Sequence, residues 1–336
     1  MLQPALLMLI LVVITALIFD FINGFHDAAN AVATVVSTGV LPLRTAILLA
    51  AALNFFGALT GTAVASTIGK GVVTPEAVTQ AVVLSALIGA IFWNLFTWYY
   101  GIPSSSSHAL IGGLVGAGLA KAGASAVHFD GVIKIAQSLV VSPLIGLILG
   151  LFVMIALQWV FRRGRPSTLS RLFRLLQLLS SGFMAISHGS NDAQKTMGII
   201  TMALVAYGSV SSSQTGFQVP LWVMLLCAVA MGLGTAAGGV RIIKTMGTKI
   251  IDLKPIHGFA AESSAALTIF TASHYGLPVS TTHVISGAIL GVGASQSVSA
   301  VRWGITVRIL WAWVLTMPIS AAVAYGVFRL GTLLLG

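Results

Sequence analysis

Long apolar stretches alternate with short polar breaks along this chain, without the two-residue alternation of half-buried strands. The runs are 5–22, 24–38, 45–66, 77–100, 105–120, 132–160, 172–187, 194–208, 219–237, 258–275, 282–294 and 304–334. A helix that crosses a bilayer needs about 20 mostly apolar residues. Several runs are shorter, and these read as half-helices or as arms of re-entrant hairpins. Only helices and closed barrels span lipid, and unalternating runs favour helices. The expected fold class is therefore all-α: a polytopic membrane protein with broken helices and re-entrant helical hairpins.

Composition narrows this further. Only 7% of the 336 residues are charged, against about 25% in soluble domains. That is too few to coat a soluble body of this size, so soluble enzymes and nucleic-acid binders fall away. The net charge of +10 does not reverse this, because the 17 Lys and Arg sit mostly in the breaks between apolar runs. Positive charge in such breaks fixes orientation at the cytoplasmic face. Its densest cluster, Arg162, Arg163, Arg165, Arg171 and Arg174, surrounds Gly164 and Pro166 at the midpoint of the chain. This reads as a short basic cytoplasmic linker, 162–170, between repeats 1–161 and 171–336. The one cysteine, Cys227, excludes an internal disulfide. The first basic residue is Arg44, so the charged start of a cleavable signal is not expected.

The two halves repeat. Gly24, Asp27 and Ala28 in Asn23-Gly-Phe-His-Asp-Ala-Ala-Asn30 match Gly189, Asp192 and Ala193 in His188-Gly-Ser-Asn-Asp-Ala-Gln-Lys195, 165 positions on. Gly61-Thr62-Ala63 recurs as Gly234-Thr235-Ala236. Gly101-Ile-Pro-Ser-Ser-Ser-Ser-His108 recurs as Gly276-Leu-Pro-Val-Ser-Thr-Thr-His283, and Gly112, Gly116 and Gly118 match Gly287, Gly291 and Gly293 at the same offset of 175. Paired halves with polar interruptions point to a secondary transporter with its site at the repeat interface.

The chemistry sits in these motifs. Asp27 and Asp192 are two of only seven carboxylates. A charge near the bilayer centre is costly, so such a residue usually binds an ion or carries a proton. Asn23, Asn30, Asn191 and Gln194 offer further oxygen ligands, and Gly24 and Gly189 permit an unwound backbone. Asp27 and Asp192 are thus candidates for binding a cation or carrying a proton. Pro103 and Pro278 read as first-turn prolines. They would place Ser104–Ser107 and Ser280–Thr282 at two helix starts, where unpaired N–H groups and hydroxyls suit a tetrahedral oxyanion; helix capping is the structural alternative. Lys195 either neutralises the anion or pairs with Asp192 one turn away. Glu262, in an apolar run, is a candidate cation or proton site. His26 and His188 are accessory candidates. Asp20 reads as a polar helix boundary and Glu76 as a capping acid. An intramembrane Ser/His hydrolase fits poorly, because adjacent Ser107 and His108 do not face one another on a helix. The expectation is no enzyme activity and no cofactor.

Phe21–Thr34, Ser187–Lys195 and Trp93–His108 together resemble the signatures of the inorganic phosphate transporter (PiT) family, over nearly the whole chain. The resemblance implies two inverted repeats. It implies symport of inorganic phosphate with sodium or protons by alternating access, in the bacterial inner (cytoplasmic) membrane, by a homodimer. It would place phosphate between Ser105, Ser106 and Ser107 on one hairpin tip and Ser280, Thr281 and Thr282 on the other. The cation sites would comprise Asp27, Asp192, Asn23, Asn30 and Asn191. Asn54 stands where animal relatives carry Glu, and their central hydrophilic loop is reduced here to about 162–171. A sulfate symporter on the same scaffold is the alternative.

Overall fold

The computed structural model describes residues 3–74, 77–210 and 217–335; Glu76 lies outside them. The first half holds α1 (Pro4–Ser37), α2 (Leu43–Ala58), α3 (Ala63–Gly71), α4 (Gln80–Tyr99), α5 (Ser106–Ala122) and α6 (Phe129–Val160). The second half holds α7 (Pro166–Tyr207), α8 (Leu221–Ala237), α9 (Val240–Thr248), α10 (Pro255–His274), α11 (Thr281–Gln296) and α12 (Trp303–Leu335). The order long, medium, short, long, medium, long thus occurs twice. Among the described residues, the one β feature is an isolated bridge, Val73 to Val127. Among the described residues, five helices are long and apolar enough to cross a membrane, and each bent pair, α2–α3 and α8–α9, adds one if it forms a single span.

The breaks fall elsewhere than the apolar runs suggest. α1 passes through Asn23–Asn30 without interruption, and α7 joins the runs 172–187 and 194–208 into one helix of 42 residues. Neither motif contains a proline, so no missing backbone N–H opens the helix there. The bends lie at α2–α3, by 71°, and at α8–α9, by 69°. The second begins at Gly238, whose φ of +67° suits glycine. Between the apolar runs 219–237 and 258–275, Val240–Thr248 forms α9.

Glycine sets the helix spacing. A Cβ at Gly112 of α5 would lie 2.5 Å from the Met317 carbonyl oxygen of α12, and one at Gly116 would strike Ala321. Their matches Gly287 and Gly291 on α11 meet Pro143 and Leu147 of α6 in the same way. Small residues at this spacing let membrane helices approach closely. Each half's fifth helix therefore packs on the other half's last helix, and likewise α1 packs on α8 and α2 on α7. α1 and α7 run antiparallel: Asp20 faces Thr196, and Thr38 faces Gln177.

Candidate functional site

Two helix starts meet in the interior. α5 begins at Ser106 with Ser105 as N-cap, and α11 begins at Thr281 with Ser280 as N-cap. Each cap hydroxyl accepts the N–H three residues on, of His108 and of His283, at 3.2 Å. The caps are serines, so Pro103 and Pro278 lie two residues outside the helices rather than in the first turn. The chain reaches each cap through a glycine at positive φ, Gly101 or Gly276. Capping takes one donor per helix and leaves the N–H groups of the first two residues, 106–107 and 281–282, without intrahelical acceptors. The two starts are near neighbours, since the His108 and His283 rings stack with centroids 5.1 Å apart.

Around them α1 and α7 supply the charged groups, all buried. Lys195 donates to Asp192 Oδ1, to the Ser107 hydroxyl and to the Val279 carbonyl oxygen. Of the two sequence alternatives for Lys195, the ion pair with Asp192 is present, and the ammonium also touches the start of α5. Asn30 makes the mirrored reach, donating to the Thr281 and Thr282 hydroxyls at 3.2 and 3.0 Å. Thr281 in turn donates to Asp192 Oδ2. Asp27 Oδ1 lies 2.6 Å from His26 Nδ1, and His26 Nε2 lies 3.0 Å from the Thr97 hydroxyl. Asp27, Asp192 and His188 bring one ligand atom each within 4.8 Å of one another.

The donor set fits a small hard cation. Carboxylate and amide oxygens are the ligands such ions take. Among the described residues, the side-chain oxygens of Asn23, Asn30 and Asn191 are buried without a hydrogen-bond partner, as is the Ser106 hydroxyl. Buried polar atoms are rarely left so, and each instance calls for a bound ion or water or a functional role. His188 adds a second reading. Its Nε2 faces Asp192 Oδ2 at 3.2 Å and its Nδ1 faces Asn54 Oδ1 at 3.1 Å. Two ring nitrogens facing oxygen atoms take either two ring protons or a cation between imidazole and carboxylate.

Other expected residues lie apart. Gln194 accepts the Val64 N–H at 2.8 Å, closing the start of α3. Glu262 accepts from Thr34 at 2.6 Å, from Gln177 at 3.0 Å and from Ser180. Thr34 stands seven residues beyond Asp27, about 10 Å further along α1, so Glu262 forms a separate acidic centre. Asp20 is no boundary residue: it is fully buried and accepts from Thr196 at 2.9 Å. Gly24 and Gly189 do not unwind the backbone. A Cβ at Gly24 would sit 2.6 Å from the Met231 carbonyl oxygen, and one at Gly189 would strike Asn54. They are contact points for α8 and α2. Asn54, Thr97 and Thr235 join the network without having been assigned to it: Asn54 donates to Thr235 at 2.9 Å, and Thr97 bridges His26 to Ser104. The Gly-Thr-Ala repeat was the available signal for Thr235.

Comparison with known proteins gives consistent results. The model of the phosphate transporter family, PHO4, matches residues 23–168 and 162–324. A protein of Rhizobium meliloti (strain 1021), named "Probable low-affinity inorganic phosphate transporter", is 51% identical over 318 residues, 94% of each chain. One of Bacillus subtilis (strain 168) with the same name is 50% identical over 330 residues, covering 97% of this chain and 98% of its own. A solved structure titled "The sodium-dependent phosphate transporter" superposes with a TM-score of 0.86 at 28% identity, over 98% of this chain and 100% of that one.

Proposed function

We propose that this chain, which belongs to the phosphate transporter family, imports inorganic phosphate across the bacterial cytoplasmic membrane by cation-coupled symport with alternating access. The observation that carries the reading is the meeting of two hydroxyl-capped helix starts beside a buried Lys195 and two buried carboxylates. Phosphate would lie between Ser105–Ser107 and Ser280–Thr282. Each helix start contributes about half a positive charge, and Lys195 contributes a whole one. Together they offset about two charges, the load of a phosphate dianion.

The coupling follows from who holds Lys195. With no anion bound, its ammonium is neutralised by Asp192. An anion at the hairpin tips competes for that ammonium and leaves Asp192 short of a counter-charge. A cation at Asp27 and Asp192, with Asn23, Asn30 and Asn191 supplying neutral oxygens, restores the balance. Sodium fits the oxygen set and a proton fits the His188–Asp192 contact, so either ion is a candidate. Glu262 is a second cation or proton site on the same pathway. The recurrence of the helix order and the antiparallel run of α1 and α7 support two inverted repeats, 1–161 and 171–336, about the linker 162–170. Homodimer formation belongs to the same proposal, with light scattering in detergent as its check.

Radiolabelled phosphate uptake into proteoliposomes, with sodium and proton gradients imposed separately, tests the whole reading. Accumulation driven by one gradient identifies the coupling ion, and Asp27→Asn or Asp192→Asn should abolish it. Sulfate accumulation without phosphate uptake would replace the substrate, and full-rate phosphate uptake by both variants would remove the carboxylates from the coupling.

A further inference from the structure

A cavity of about 780 Å³ opens on the outer face of the bundle between α3, α6 and α10. Its size falls within the range of small-molecule pockets, about 300–1,000 Å³. Its walls include Val141 and Ile145 of α6 and Leu267 of α10, all of them exposed, and its floor is Pro278 and Val279. The rim carries one charged group, Lys134, with Gln137 beside it.

The matching positions in the other half carry much larger side chains. At the offset of 175, Thr268 and Thr271 of the cavity correspond to Trp93 and Phe96 of α4. Trp93 is buried, donates to Thr316 of α12 at 2.9 Å and stacks with Phe96. α12 packs on α4 as α6 packs on α10. One half therefore fills this position with its own indole, and the other puts threonines there and leaves it hollow. The difference is written in the sequence, so the cavity is a lasting feature of α10. An apolar hollow facing hydrocarbon is filled by what surrounds it there, because an empty one forfeits dispersion contacts along its whole lining.

We infer that this cavity is a binding site for an anionic phospholipid. An acyl chain lies between α6 and α10, and the headgroup phosphate is held by Lys134. Lys134 stands in the first two turns of α6, at the end opposite Arg162 and Arg163. Its long stem can follow the apolar wall while its ammonium reaches the headgroup layer. The bound chain supports Pro278 and Val279, and through the Val279 carbonyl it buttresses Lys195.

The test uses the full chain purified in an uncharged detergent and titrated with phosphatidylglycerol or phosphatidylcholine. Native mass spectrometry and thermal unfolding are the readouts, with inorganic phosphate as a separate arm. We expect retained phosphatidylglycerol adducts and a rise in the unfolding midpoint of about 2–4 °C, with phosphatidylcholine weaker. Thr268→Trp, which copies the filled half, should cut the adducts roughly tenfold, equivalent to 1.4 kcal/mol. Lys134→Gln should abolish the preference for the anionic lipid while sparing acyl binding. Ile145→Phe narrows the cavity from the opposite wall and serves if Thr268→Trp is not recovered. Equal lipid retention by wild type and both cavity-filling variants would overturn the site. Conversion of a dimer to monomer by Thr268→Trp, with lipid retention unchanged, would also overturn it and assign the cavity to a second copy of the chain. Stabilisation by inorganic phosphate that Lys134→Gln removes would likewise replace the lipid with the free anion.

Discussion

Asn30 and Lys195 stand 165 residues apart at matching positions of the two halves, and each reaches across to the opposite hairpin tip. The reach is shared, but only one of the two is charged. In the proposed phosphate site that gives the anion one fixed cation, enough to attract it without holding it irreversibly. Lys195 and Asp192 also depend on each other, because removing one partner of a buried pair strands the other's charge at a cost of about 3–5 kcal/mol. We expect Lys195→Met and Asp192→Asn each to lower the unfolding midpoint in detergent strongly, and the double variant to lower it by less than the sum. Additive losses would show that the pair is not coupled. In transport, Lys195→Met should raise the KM for phosphate by about tenfold or more, as expected for loss of a charge-assisted hydrogen bond. The residue types of this site were legible in the sequence because burying carboxylates in an apolar chain demands a use. Which oxygen faces which donor was not legible: Gln194 closes α3 and Glu262 stands apart, since side-chain direction depends on helix rotation and on the neighbours across the bundle.

At the scale of elements, the glycines of the two Asp motifs act through packing. Gly24→Ala and Gly189→Ala each push a methyl group into a neighbouring helix backbone, which cannot yield as a flexible side chain would. Overpacking of this kind costs about 1–3 kcal/mol, so both variants should unfold at lower temperature. Gly326→Ala on α12 meets nothing within 4 Å and should leave stability unchanged or raise it, since alanine favours helix. A Gly24→Ala protein as stable as wild type would mean that α1 and α8 separate more easily than their contact implies. The sequence marked these positions as special, yet a glycine repeated in both halves reads equally as an unwound turn or a close approach. Only the position of α8 and α2 against α1 and α7 decides between them. Similarly, the run 45–66 carries no proline at 59–62, and its bend was not visible beforehand.

Across the whole molecule the halves are interlocked rather than adjacent. α5 packs on α12, α11 on α6, α1 on α8 and α2 on α7. Each half alone would expose the glycine-lined faces that the other covers. We therefore expect a chain divided within the turn between α6 and α7, residues 161–165, to be recovered as a co-purifying pair when both pieces are co-expressed. Neither piece should be monodisperse by itself in size-exclusion chromatography. A monodisperse first half would mean that its core is self-sufficient. What the sequence determined by itself was the solvent and the duplication. Scarce charge and long apolar runs admit only a helical membrane protein, and two ordered sets of motifs make two copies of one unit. What only the tertiary structure decided was the meeting of those motifs. Asp27, Asp192, Lys195 and both hairpin tips come from four helices and the turns before them, and they converge because glycine faces set the distance between helices drawn from opposite halves. That distance is a property of paired surfaces, and no stretch of one strand of sequence contains both members of a pair.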